Sequence, residues 1–220
     1  MKNIALLGNP NCGKSALYNR LTHGFSRVGN FPGMTVEKRS ARLYCFDDCI
    51  VTDLPGTNSL DAGSPDEAVA VSTLRSKPDA VICVVDATAP ERGLSLALAC
   101  AAYDVHIVIA VNMVDELKKI GGSVDCESLS KSFGVPVFAV SAITGEGVDE
   151  LAHGIPTAKQ CPIRFDENDP IALTTARFVR ADRITRECFV IPEQNKADTA
   201  TDPLLCGILG RLMIVALFAF

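Results

Sequence analysis

The sequence predicts an α/β fold: a mostly parallel six-stranded sheet with helices on both faces, followed by a short helical appendage. Three observations predict it. Short apolar runs alternate with longer amphipathic ones through residues 1–155, the pattern of strands joined by crossover helices. The run Ala80–Val85 is apolar at every position, as a strand covered on both faces must be. A glycine-bearing loop, Gly8–Ser15, joins the first apolar run directly to the first amphipathic one. In open α/β sheets, ligands sit at that kind of junction, at the carboxyl ends of the strands.

The elements follow in order. Strand-like runs are Asn3–Leu7, Val36–Phe46, Ile50–Asp53, Ala80–Asp86, Ile107–Asn112 and Val137–Val140. Helical patterns cover Ser15–Thr22, Asp66–Ser76, Gly93–Tyr103, Asp125–Phe133 and Val148–Gly154. Asp47-Asp48, between two strand-like runs, reads as the turn of one antiparallel hairpin. His23–Thr35 is rich in Gly, Asn and Pro and reads as a loop too broken for a core element. Three segments emerge: 1–155 as the main domain, 156–202 as a short linker or helical segment, and 203–220 as an apolar tail. The tail is apolar apart from Arg211. It reads as the start of a membrane helix or as a buried C-terminal helix, since a full span needs about 20 apolar residues.

Gly8-Asn9-Pro10-Asn11-Cys12-Gly13-Lys14-Ser15 fits G-x-x-x-x-G-K-[ST], and Ala16 opens the helix behind it. Such a loop aims backbone N–H groups at phosphate, with the helix dipole behind them. Lys14 can reach β- and γ-phosphates, and the Ser15 hydroxyl is placed for Mg²⁺. Thr35 closes the broken loop, where nucleotide switches carry the Thr that meets Mg²⁺ and the γ-phosphate; alone it is also an ordinary loop Thr. Asp53-Leu54-Pro55-Gly56 matches D-x-x-G. Asp53 would hold Mg²⁺ through a water, and Gly56 would offer its N–H to the γ-phosphate. Asn112-Met113-Val114-Asp115 follows a strand, and the Asp115 carboxylate can accept both N1–H and the 2-amino group of guanine. Adenine lacks that donor pair. Ser141-Ala142 follows the last strand and can meet guanine O6 through backbone N–H. The five signals stand in the order of a Ras-like P-loop GTPase.

Details beyond those motifs resemble the G domain of FeoB-type ferrous iron transport proteins. Val28-Gly29-Asn30-Phe31-Pro32-Gly33-Met34-Thr35-Val36-Glu37 is similar to the family's V-G-N-W-P-G-V-T-V-E. Asp53–Leu60 resembles D-L-P-G-T-Y-S-L, and Met113 stands where most GTPases have Lys. Fainter likeness lies at Ala181-Asp182-Arg183-Ile184 and Leu209-Gly210-Arg211-Leu212. Phe31 replaces the usual Trp and Cys12 a common Ser. The resemblance implies binding of GTP and GDP through the loop residues, Gly33, Met34 and Thr35. It also implies slow GTP hydrolysis coupled to Fe²⁺ uptake. It places the chain on the cytosolic face of the inner membrane, joined to a permease region absent from this sequence, with a small cytosolic regulator as a further partner. The segment alone is not expected to move iron. The resemblance also implies stimulation by K⁺ through Asn11; from the residues alone, Asn11 equally serves to tie its own loop.

Composition narrows the alternatives. A net charge of −5 and a pI of about 5.2 give no basic footprint for nucleic acid. That charge and Met113 oppose a ribosome- or RNA-associated assembly GTPase, and Asp115 with Ser141 opposes an ATPase. A non-hydrolysing GTP-sensing module stays open. Nine cysteines, with no C-x-x-C, read as free thiols of a reducing compartment. Cys45 and Cys49 read as packing or exposed thiols beside the hairpin, not as an iron site. The chain opens straight into a strand, without a secretory signal.

Overall fold

The computed structural model describes residues 1–24, 26–31, 36–61 and 63–192. Their strands are β1 Lys2–Gly8, β2 Arg27–Asn30, β3 Glu37–Leu43, β4 Phe46–Asp53, β5 Ala80–Asp86, β6 His106–Asn112, β7 Ser123–Val124, β8 Val137–Ala139, β9 Lys159–Gln160 and β10 Phe189–Val190. The helices are α1 Lys14–Thr22, α2 Pro65–Arg75, α3 Pro90–Ala101, α4 Val114–Lys119, α5 Cys126–Phe133, α6 Val148–Gly154 and α7 Pro170–Cys188, with a 3₁₀ turn at Ile155–Thr157.

The main sheet runs β2-β3-β4-β1-β5-β6-β8, and β9 pairs with the start of β6. Its centre, β4-β1-β5-β6-β8, is parallel; β2, β3 and β9 are antiparallel additions. All six strand-like runs of the sequence lie in this sheet, and two short edge strands bring it to eight. Side-chain alternation splits the core. Ala5, Leu7, Val81, Val85, Ile107 and Ile109 face one layer, which α3, α5 and α7 help to cover. Ile4, Leu6, Ile82, Val84, Val108 and Ala110 face the other, under α1 and α6. β1, β5 and β6 are apolar on both faces because both faces are covered there.

Two local expectations change. The hairpin turns at Tyr44-Cys45, not at Asp47-Asp48: Leu43 pairs with Phe46, and both aspartates lie exposed within β4. The inward positions of that strand are Cys49 and Val51, so its polar start is a solvent-facing stretch. Within the segment read wholly as loop, Arg27–Asn30 forms β2. All four of its residues are exposed, and backbone pairing to β3 holds them there. Without an apolar face, such a strand leaves no period-2 signal.

The helical appendage is chiefly α7, 19 residues long. Pro170 occupies its first turn and the Asp169 carboxylate caps it, accepting from Ala172 N–H at 2.7 Å. Ala181, Ile184 and Cys188 bury its inner face, and β10 pairs with β7 at its end. The expected apolar tail, 203–220, lies outside the described residues. Among the described residues, no helix is long and apolar enough to cross a membrane.

Candidate nucleotide site

The motif residues converge at the carboxyl edge of the sheet. Gly8 ends β1, Asp53 ends β4 and Asn112 ends β6, while Ser141 follows β8. A cavity of about 600 Å³ opens there, lined by Asn9, Pro10, Asn11, Gly13, Lys14, Ser15, Ala16, Gly56 and Asp66. A second cavity of similar volume lies near Thr22, Arg42 and Tyr44, away from any such loop.

The loop between β1 and α1 has its turn chemistry written into it. Gly13 caps α1 with φ 78°, in the left-handed region. A Cβ there would come within 2.2 Å of the Asn112 side chain, so only glycine permits this approach. Asn11 also has positive φ, 66°, and its exposed side chain lines the cavity. Asn9 is buried; its Nδ2 donates to the Thr57 carbonyl and to Asn58 Oδ1, both at 3.1 Å. Asn9 therefore ties the loop to the segment after Gly56 through its side chain. Cys12 contributes backbone, not thiol chemistry. Burial pushes its thiol up to about 11.

Lys14 and Asp53 form a buried ion pair, Nζ to Oδ1, with both side chains 9% exposed. Ser15, next to Lys14, is exposed and lines the cavity; its hydroxyl and the Asp53 carboxylate are the oxygen donors that a hard cation takes. The position after Gly56 is occupied by Thr57, 3% exposed. Its hydroxyl donates to the Ser59 carbonyl at 2.6 Å, and Thr57 is not among the residues that line the cavity. Glu67 steadies the same segment, accepting from the Ser59 hydroxyl and from Gly63 N–H, both at 2.8 Å.

Asn112 is the hinge pin of the site. At 1% exposure, it donates through Nδ2 to the Cys12 carbonyl at 2.9 Å and accepts through Oδ1 from Ala142 N–H at 3.0 Å. One amide thereby fixes the phosphate loop and the Ser141-Ala142 turn to each other. Met113, with φ 66°, turns the chain into α4 and puts Asp115 in that helix's first turn. Lys119 approaches Asp115 at 3.8 Å. Arg20, which no motif pointed to, reaches from α1 and donates through Nε to the Ala142 carbonyl at 2.9 Å, with a further bond to Ile143. Gly33, Met34 and Thr35 lie outside the described residues.

Comparison with known proteins decides the family. The family model for ferrous iron transport protein B matches residues 2–155. The chain belongs to the FeoB family. A Porphyromonas gingivalis relative, a fusion of Fe(2+) transport protein A with the Fe(2+) transporter FeoB, is 40% identical over 151 residues. That match covers 67% of this chain and 18% of the relative. The chain spans a quarter or less of the length of such FeoB relatives. The GDP-form cytosolic domain of T. maritima FeoB superposes with a TM-score of 0.78 at 27% identity, covering 86% of this chain and 98% of that one. The isolated T. maritima FeoB G domain gives a TM-score of 0.64 at 39% identity, covering 70% and 96%. These likenesses to FeoB do not favour a ribosome- or RNA-associated GTPase.

Proposed function

We propose that this chain is the guanine-nucleotide module of an FeoB-type Fe²⁺ transporter, binding GTP and GDP and hydrolysing GTP slowly. The observation that carries the reading is Asn112, which welds a phosphate loop to a base-reading turn at one edge of the sheet. The relatives support it: one S. thermophilus structure is bound to GDP, and one T. maritima structure is a GMPPNP form.

The proposed roles are these. Backbone N–H groups of Gly8–Ser15 and the α1 terminus receive the phosphates. Lys14 adds charge, Gly56 offers its N–H, and Asp115 with Ser141 and Ala142 reads guanine. Ser15, Asp53 through a water, and Thr35 would hold Mg²⁺, and the ion would supply charge neutralisation for the phosphates. Water attacks the γ-phosphorus, the bond to the β–γ bridging oxygen breaks, and GDP leaves. The reaction needs positioning and charge more than covalent help. Thr57, turned toward Ser59, cannot orient that water as a Gln would, so the intrinsic rate is low. A K⁺ held by Asn11 would supply charge where an arginine finger otherwise acts.

In the whole protein, residues 1–155 form the G domain, 156–202 a helical segment and 203–220 the approach to a membrane-embedded permease. The module sits on the cytosolic face of the inner membrane. A small cytosolic regulator is a further partner, supported by the relative that carries Fe(2+) transport protein A in the same chain.

Phosphate release in KCl and in NaCl at equal ionic strength tests this. Turnover should be faster in KCl, and Asn11→Ala should lose the difference while keeping nucleotide binding. Equal rates in the two salts would remove the potassium role. No turnover in either, with GTP bound, would leave a non-hydrolysing sensor.

A further inference from the structure

Tyr18 follows Lys14 by four residues on α1, so the two side chains leave the same face of the helix. Lys14 spends that position on Asp53. Tyr18 is the bulkiest fully buried side chain, at 1% exposure, yet its hydroxyl has no hydrogen-bond partner among the described residues. A buried hydroxyl without a partner is unfavourable, and a phenylalanine would fill the same space without that cost. The packing therefore does not explain the oxygen.

Its surroundings do. Asp53 ends β4, and Arg39 faces it across the β3–β4 pairing. Arg39 is held by Glu37, Nε to Oε1 at 2.7 Å. The nearby hydroxyls of Ser40 and Thr52 satisfy each other at 2.9 Å. Val51 leaves β4 on the same face as Asp53 and packs in the core that holds the Tyr18 phenol. Burial first and the Asp53 carboxylate second push it up to about 12, against a smaller pull from Arg39. It is thus a protonated donor in the neighbourhood of a carboxylate.

Lys14 cannot serve Asp53 alone and also neutralise bound phosphates. When it turns to phosphate, Asp53 is left buried with fewer donors. We propose that Tyr18 is a positioning residue for Asp53: its hydroxyl donates to the Asp53 carboxylate as Lys14 turns to the nucleotide, and so aims that carboxylate at the magnesium shell. This rests on the reading of Asp53 as a magnesium-shell residue. The role belongs to the hydroxyl, not to the ring.

Tyr18→Phe tests it, because it removes one oxygen and keeps the ring. The readouts are release of fluorescently labelled GDP across a Mg²⁺ titration, and thermal unfolding with and without GDP and Mg²⁺. The half-saturating Mg²⁺ concentration should rise about tenfold, the scale of one hydrogen bond to a charged group. GDP affinity in EDTA should stay as in the parent. Without nucleotide, Tyr18→Phe should unfold at the same temperature or higher, and it should gain less from GDP and Mg²⁺. A parental Mg²⁺ midpoint would overturn the proposal, as would equal losses of GDP binding with and without Mg²⁺. Asp53→Asn in the same titration separates the two readings. If it matches the parent, Asp53 has no magnesium role and the Tyr18 proposal falls with it. If it differs while Tyr18→Phe matches the parent, only the Tyr18 proposal falls.

Discussion

Asn112 shows how much one side chain can settle. Its amide has one donor side and one acceptor side, and each holds a different loop, Cys12 in one and Ala142 in the other. Lys14 carries a comparable double load. Its pairing with Asp53 is buried, so Lys14→Ala strands a carboxylate and, on the proposed reading, also removes the cation that meets phosphate. Two effects are expected together. Labelled-GDP binding should be lost beyond ready detection, and stability should fall by about 3 kcal/mol, as for a buried pair broken on one side. Lys14→Met with Asp53→Asn should recover most of that stability without recovering binding. Thermal unfolding beside a GDP titration checks both. Recovery of binding in the double variant would show that Lys14 is not the phosphate cation. The motifs at these positions were legible because the fold's loops carry them in a fixed order. Their mutual bonds were not: a motif states that Asn112 is present, but not that it spans from Cys12 to Ala142.

At the scale of elements, α1 follows the glycine loop and also reaches the turn after β8. Its Arg20 holds the Ala142 and Ile143 carbonyls, so the helix behind the glycine loop also braces the turn after β8. Arg20→Ala should therefore speed GDP release about tenfold, as loss of a charged hydrogen bond implies, with little change in the melting temperature. Stopped-flow release of labelled GDP measures it, and an unchanged rate would reduce Arg20 to surface decoration. Nothing in the sequence marked Arg20, because an arginine between Asn19 and Leu21 reads as the solvated side of an amphipathic helix. The central strands were legible for the opposite reason: β1, β5 and β6 are apolar at nearly every position, and only burial on both faces explains that. Strand β2 carries no such signal, since its four residues are all exposed. The hairpin turn was misplaced because Asp47-Asp48 has turn composition, whereas the pairing of Leu43 with Phe46 puts the bend at Tyr44-Cys45.

For the whole molecule, the decisive fact is that one edge of one sheet gathers every nucleotide motif the structure describes. The parallel core forces this. Each parallel strand ends on the same side, so the loops after β1, β4, β6 and β8 must emerge together. The cytosolic-domain relative covers 86% of the chain and the isolated G domain 70%, and α7 lies beyond the family model's match at residues 2–155. Packed on α3 and α5, it gives the module a helical side that the phosphate loop does not use. The central claim is that this edge reads guanine and not merely phosphate. Titration of the unmodified chain with labelled GTP and ATP in Mg²⁺ tests it most directly, beside Asp115→Asn. GTP should bind at least about a hundredfold more tightly than ATP, because the half-buried Asp115 carboxylate finds no donor pair on adenine. Asp115→Asn should erase most of that preference. Comparable affinities for GTP and ATP in the unmodified chain would contradict the account.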